Sequence, residues 1–486
     1  MNSDNFFVIS TQRENEGIIF KDYHFGLKRR NMDGSKMWVC TKKSCKASIK
    51  TQESSIIKMK YINPDGTHDY EHPPKMSFNV YECIQSIKQR IDKEPTAPVS
   101  MLYDEQVKKF RRDYGNAGAI PVFDRVKSSL YEYRSSKQPT IPKTLSSIVV
   151  PYSLTRTLTD ENFLFCSNVQ SIFGFSSLTS LQLLGSNQHW NSDGTFRTAP
   201  RLFYQSYRIH IWDDFSMKPV VYAALPNKNF DTYDSLLVEL IIYAQNNQIT
   251  LAPQSILIDF EMAAYKAFLK NFPMANIKGC QFHFGQNIWR QIKKKGLIPY
   301  SKGDEARRQI ANILSLPLLP PQKIQIAFCD IIEELSGVNA RFLKLTDYIL
   351  RTYIDNAIFP SSFWNVFDLI GIRPRTNNHV EGYHGQLNCH CSTHPNLWAW
   401  IRFIQELEES TMVRVDQEQA QQRTTRRRKA KTVINENLLI QAKQEYLDGI
   451  LDLTGYQKRL RILSYRYIQV FDANEKDDLD YEPKDN

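Results

Sequence analysis

The chain has 486 residues, 42% of them hydrophobic and 23% charged; this ordinary globular usage excludes a wholly disordered or fibrous protein and predicts two to four domains. Its 62 lysines and arginines outnumber its 52 acids, a formal net charge of +10, which favours polyanionic partners. No apolar run approaches the roughly 18 residues of a membrane span, and MNSDNFFVIS lacks the basic flank and apolar stretch of a secretory signal, so the expectation is a soluble intracellular protein with no membrane partner.

Residues 5–76 form a β-rich block. FFVIS, GIIF, MWVC, ASIK and SIIKMKYI are strand-prone runs separated by the turn sequences NMDGSK, TKKSC and NPDGT. Residues 21–60 hold eleven basic residues against Asp22, Asp33 and Glu53, a charge suited to phosphate backbones. Eight cysteines at irregular spacing point to metal ligation or burial, not a disulfide framework. Cys40, Cys45, His68 and His72 have the composition of a structural zinc site, which needs four N/S ligands in a tetrahedron. The alternative is two incidental cysteines and two surface histidines. A block with so few large aliphatics gains from a metal, because binding it contributes directly to folding.

The block resembles the FLYWCH zinc finger, a relative of the WRKY-type DNA-binding fingers, through Phe25-Gly26-Leu27, Met37-Trp38-Val39-Cys40, Cys45-Lys46-Ala47 and His72-Pro73-Pro74. That family closes with His-x-His, whose first histidine falls on Tyr70 here; this sequence offers His68 instead. The resemblance implies a structural Zn2+ and contact with DNA.

Residues 77–184 are predicted as a basic helical region and linker. YECIQSIKQRID and MLYDEQVKKFRRDYG place apolar residues at three- and four-residue intervals, and prolines at 121, 139, 142 and 151 mark the linker. From 185 to 300 the order of elements is βββαβαβα: HWNSDGTFR, LFYQSYRIHIWDD and KPVVYAALP, then helix YDSLLVELIIYAQNN, strand SILIDFE, helix EMAAYKAFLKNF, and NIKGCQFHF leading into helix GQNIWRQIKKKG. This predicts a mixed α/β layer with helices on a central sheet. Residues 301–370 read as a helical insertion, and 371–410 resume the pattern with TNNHVEGYHGQLN as a capped helix. Residues 411–486 read as a helical C-terminal region that carries a basic run and an acidic tail.

Three acids stand out by their settings. Asp193 sits in the first strand of this region, Asp259 ends the apolar strand Ile256-Leu257-Ile258, and Glu381 lies near the start of a capped helix. Carboxylates at strand ends face the crevice where open α/β sheets bind ligands. Brought together they repel, so cations are needed; Mg2+ or Mn2+ suits them, two such ions serving in-line displacement at a phosphate. Taken singly, Asp193 also suits a turn, Asp259 a helix cap and Glu381 a solvated helix face.

Residues from about 188 to 398 resemble the MULE (Mutator-like element) transposase domain. The matching pieces are Ser192-Asp193-Gly194-Thr195-Phe196, Asp259-Phe260-Glu261, the Cys-x2-His element in Gly279-Cys280-Gln281-Phe282-His283-Phe284, and Arg375-Thr376-Asn377-Asn378-His379-Val380-Glu381-Gly382-Tyr383-His384. The resemblance implies an RNase H-like fold with a helical insertion and a catalytic DDE triad of Asp193, Asp259 and Glu381 holding two divalent cations. It also implies double-stranded DNA partners (element terminal repeats and target DNA) and a homo-oligomer. A FLYWCH-type finger ahead of a MULE domain is itself a known pairing.

Glu261 competes with Asp259 for the second acid position; the match favours Asp259 and leaves Glu261 as a helix-start charge. Cys280, His283 and His384 are expected as active-site neighbours. For Cys280 and His283, zinc binding, DNA contact and packing all stay open. Arg423, Arg426, Arg427, Arg428, Lys429 and Lys431 read as a nuclear localisation signal or as a solvated helix face. The expected function is a nuclear DNA transposase, or alternatively a domesticated transposase acting as a DNA-binding or transcription factor without catalysis.

Overall fold

The structure, a computed structural model, describes residues 5–10, 16–70, 72–94, 97–137, 139–167, 171–212, 216–372, 375, 392–420 and 430–473. The chain divides into two units, 1–140 and 141–486.

In the first unit, turn residues chop the β-prone runs into short strands: β1 (Phe7–Ser10), β2 (Glu16–Phe20), β3 (Tyr23–Arg30), β4 (Lys36–Cys40), β5 (Ser48–Gln52) and β6 (Ser55–Lys60). They pair antiparallel in sequence order. Lys21 and Asp22, both at positive φ, make the tight turn whose twist suits a hairpin. Ile18, Phe20, Phe25, Trp38, Ala47 and Ile49 form the core of the sheet, and the Trp38 indole donates to Thr51 Oγ1 at 2.8 Å. The strand-prone runs do not include β3: its second half is the exposed, cationic Lys28-Arg29-Arg30, and pairing on both sides sets its conformation.

Three helices follow. α1 (Phe78–Lys93) is capped by Ser77, whose hydroxyl accepts from the Val80 amide; α2 (Val99–Tyr114) stops at Gly115, which takes the left-handed conformation; α3 is Phe123–Ser136. They bury Val80, Ile87, Ile91, Leu102, Phe110 and Leu130 against one another.

The second unit is built on a seven-stranded mixed sheet ordered β13-β12-β9-β10-β11-β8-β7, with β7 Leu164–Ser167, β8 Phe173–Phe175, β9 His189–Thr195, β10 Gln205–Trp212, β11 Met217–Leu225, β12 Ser255–Ile258 and β13 Asn276–Gly279. β9, β10 and β11 pair antiparallel, whereas β12 runs parallel to β9 and to β13. Every residue of β10 and β11 is buried, as expected for a sheet covered on both faces. α4 (Leu178–Ser186), α5 (Phe230–Asn246), α6 (Met262–Asn271) and α7 (Gln281–Lys294) supply Leu181, Leu236, Leu240, Phe268 and Ile288 to the core.

Two boundaries differ from expectation. Residues 164–184, read as part of the helical region and linker, carry β7, β8 and most of α4; strands of three or four residues are too short to show periodicity and exist through pairing, β8 with β11 and β7 with β8. Residues 301–370 are mainly helical, with α8 (Asp304–Ser315), α9 (Ile324–Val338), α10 (Leu343–Ile349) and α11 (Ser361–Trp364). Beyond them, α12 (Leu397–Ala420) runs through the expected boundary at 410. α13 (Ala430–Leu447) and α14 (Leu453–Ala473) contribute Leu439, Ala442, Tyr456, Leu460, Ile468 and Phe471 to the main core. No described helix is long and apolar enough to cross a membrane.

Candidate active site and metal centre

In the first unit β4 ends at Cys40, the turn after it holds Cys45, and the segment after β6 returns with His68 and His72. Cys40 Sγ lies 3.6 Å from His72 Nε2, Cys45 Sγ lies 3.2 Å from His68 Nδ1, and the two histidine nitrogens are 3.1 Å apart. A zinc tetrahedron with Zn–S near 2.3 Å and Zn–N near 2.0–2.1 Å has edges of about 3.3–3.8 Å, so the donor set fits such an ion with small adjustments. Its surroundings also fit. The Lys42 and Ala47 amides point at the two sulfurs at 3.5 and 3.4 Å, and Pro73 O holds His72 Nδ1 at 3.0 Å, which leaves Nε2 as the ligand atom. Burial, and then the neighbouring His72, push His68 down to about 4, so it stays a neutral donor; burial pushes the Cys40 thiol up to about 11. Tyr70 does not reach the centre and packs at the edge of the core. Among the described residues this is the only group of three or more such side chains with all donor atoms within 4.8 Å.

In the second unit the parallel pairing of β9 and β12 sets His189 beside Ser255, Trp190 beside Ile256 and Asn191 beside Leu257. Carried two residues further, the same offset puts Asp193 beside Asp259. Their side chains share a hydrogen bond, and Asp193 is buried; burial, and then the charge of Asp259, hold its carboxyl well above the usual carboxylate range. His283, on the first turn of α7, brings Nδ1 to 2.6 Å from Asp259 Oδ1. Burial alone pulls this imidazole down, but Asp259 and Cys280 outweigh it and hold it well above its ordinary range. Cys280, fully buried at the N-cap of α7, donates its amide to Ile258 O at 2.9 Å. The structure thus gathers Asp193, Asp259, Cys280 and His283 at one end of the sheet.

Glu381 and His384, like residues 376–380, Cys389, His390 and Cys391, lie outside the described residues, as do Arg423, Arg426, Arg427, Arg428 and Lys429; Lys431 falls on the first turn of α13. The described residues that flank the Glu381 segment are anchored near the acids. On one side the Gln281 amide donates to Arg375 O at 3.1 Å, while the Arg375 guanidinium donates to Gln281 Oε1 at 2.9 Å. On the other, the His394 amide donates to Arg197 O and the Arg201 amide to Pro395 O, at 3.0 and 2.8 Å, on the loop that follows β9.

A second polar group adjoins the acids. Glu261 occupies the N-cap position of α6 without a capping bond from its side chain; its carboxylate instead accepts from Lys228 at 2.5 Å and from the Tyr233 hydroxyl at 2.5 Å, and Gln205 Nε2 donates to that hydroxyl at 2.5 Å. Tyr207 and Ser192 bond at 2.7 Å. Burial, and then the charges of Glu261, Asp259 and Asp193, push the Tyr207 phenol well above its ordinary range, against the pull of the Ser192 bond. A Cβ at Gly194 would meet Gln205 Oε1 at 2.4 Å, so any larger residue there would displace that amide. Sequence reasoning singled out none of Lys228, Tyr233, Gln205 or Tyr207. The only signal available was a second acid two residues beyond Asp259.

No curated protein sequence matches the chain. The Drosophila P element transposase strand transfer complex is a structural match at 10% identity, covering 83% of this chain and 93% of that one, with a TM-score of 0.21, too distant to bear on the fold. The family described as the MULE transposase domain matches residues 189–287, the stretch from the first residue of β9 into α7 that carries Asp193, Asp259, Cys280 and His283. The match spans about a fifth of the chain.

Proposed function

We propose that this protein is a DNA transposase of the Mutator-like type, with an RNase H-like catalytic domain and a FLYWCH-type finger. The observation that carries the reading is the pairing of Asp193 with Asp259 on adjacent parallel strands, inside the MULE-matching stretch. The order of β13-β12-β9-β10-β11, three antiparallel strands with two parallel ones added beside the first, supports the RNase H-like assignment. The anchoring of Arg375 beside α7 and of His394 and Pro395 beside the β9 loop supports Glu381 as the third acid.

On this reading Asp193, Asp259 and Glu381 hold two Mg2+ or Mn2+ ions. When bound, such ions supply an activated hydroxyl nucleophile and stabilise the departing oxygen at a phosphodiester. The chain's own part is geometric and electrostatic. The parallel register fixes the two aspartates, the high proton affinity of Asp193 marks a site that favours added positive charge, and His283 orients Asp259 from behind. Cys40, Cys45, His68 and His72 hold a structural Zn2+, and the cationic β3 faces the DNA. Strand transfer joins paired element ends to target DNA, which calls for a homo-oligomer, and the run from Arg423 to Lys431 directs the protein to the nucleus.

The test is nicking of duplex DNA taken from either side of the gene, where this reading expects terminal inverted repeats. We expect cleavage with Mg2+ or Mn2+ that Asp193→Asn, Asp259→Asn and Glu381→Gln each abolish while DNA binding persists. Binding without any cleavage by the wild-type chain would instead support a domesticated DNA-binding factor, and cleavage that survives these substitutions would remove the triad.

A further inference from the structure

We propose that Lys228 is a phosphate-binding residue of the acid site, its ammonium poised by Glu261, Phe196 and Tyr204 to take a DNA phosphodiester next to the one that is cut. This rests on the transposase reading and adds to it a substrate contact.

The topology brings these groups together. β9 and β11 both run antiparallel to β10, and β12 runs parallel to β9, so all three have their C-terminal ends at the same edge of the sheet. Phe196 follows β9, Lys228 follows β11, and Glu261 follows β12. Glu261 is two residues beyond Asp259 and Phe196 three beyond Asp193, so chain reach limits their Cα atoms to about 7 and 11 Å from those acids. The rise per nucleotide along the duplex axis is about 3.4 Å and consecutive phosphates on a strand lie farther apart than that, which makes a contact to a phosphate adjoining the reacting one compatible with that spacing.

The ammonium is held on two sides. Glu261 takes it at 2.5 Å, and it lies 4.2 Å from the centre of the Phe196 ring and 5.7 Å from that of Tyr204, both within cation–π range. Glu261 is itself fixed from behind through Tyr233 and Gln205. A half-buried, partly solvated ion pair contributes modestly to stability on its own, and the buried polar groups behind it fix the orientation of the lysine. The lysine side chain keeps 31% of its exposure, and an ammonium has three donors, of which Glu261 accounts for one. Arg197 and Arg201 are exposed on the neighbouring loop and extend the positive rim.

The test uses the full chain carrying Asp193→Asn, which keeps the DNA uncut, and a duplex of one fixed sequence followed by fluorescence anisotropy over a NaCl series. Adding Lys228→Met should make the slope of log affinity against log salt less negative by about 0.9, one phosphate contact, with an unchanged melting temperature. Lys228→Arg should restore the slope. A Met variant that binds with the parent's slope, or a slope that Arg fails to restore, overturns the assignment and leaves the transposase reading standing. A parent with no salt-dependent binding removes both.

Discussion

Gly279 is where one methyl group would test how tightly the acid site is braced. It ends β13, and a Cβ added there would stand 2.8 Å from Phe363 Cε1 and 2.9 Å from Phe260 Cε2 and Cζ, well inside the roughly 3.5–4.0 Å optimum between carbons. Phe260 cannot easily yield. Its ring centre is 5.2 Å from those of Phe359 and Phe363, 5.9 Å from Tyr353 and 6.1 Å from Phe284. Overpacking of this kind costs about 1–3 kcal/mol; with three rigid ring atoms in conflict we expect Gly279→Ala to cost about 2 kcal/mol, a fall of a few degrees in the melting of the second unit. Since Phe260 lies between Asp259 and Glu261, a displaced ring moves the turn that carries both, and nicking should fall further than stability. Phe260→Leu removes two of the three conflicting atoms, so the double variant should be more stable than the sum of the single losses by about 1 kcal/mol. Calorimetry of the four proteins decides the matter: a wild-type melting temperature for Gly279→Ala, or strictly additive losses, refutes the packing argument.

Two further outcomes follow from other parts of the chain. Metal analysis of the purified protein should give about one zinc per chain, and His68→Ala or Cys45→Ala should lose it together with the order of the first sheet; zinc retained in His68→Ala would remove His68 from the ligand set. Glu408, buried on α12 and accepting from the Ser177 and Ser180 hydroxyls, is pushed up by burial from 4.5 to about 7. A carboxyl whose folded value is raised contributes stability that is complete below about pH 4.5 and lost as the pH rises through 7, on the order of 3 kcal/mol over that window. Urea titrations should therefore find Glu408→Gln close to wild type at pH 5 and more stable at pH 8; a Gln variant less stable at pH 8 would contradict this.

Local pattern sufficed wherever an element is long or alternating. The strands around Asp193 and Asp259 and the helices between them lie where hydrophobic periodicity puts them, because each must bury one face regardless of its neighbours. β3, β7 and β8 were not legible: one is half cationic and two are only three or four residues long, so their conformation comes from strands that pair with them. The candidate metal ligands were readable as residue types, but the gathering of His68, not Tyr70, with the cysteines needed the path of the chain after β6. Spacing alone left open how Cys280 and His283 act; the structure sets His283 against Asp259. The link from Lys228 to Glu261 spans 33 residues and depends on two strands ending at the same edge, which no run of residues announces. Glu381, His384 and the basic run from Arg423 to Lys429 lie outside the described residues, so for them the sequence is the only guide.

The two sheets also differ in when they can form during synthesis. In the first, each strand pairs with the one just made, so closure is local, and the whole unit is encoded in the first 140 residues. In the second, β9 waits for β12, with two strands and a helix translated in between. Units fold as they emerge, so the first unit, with its cysteines and histidines gathered, can be complete while Asp193 and Asp259 still lack each other.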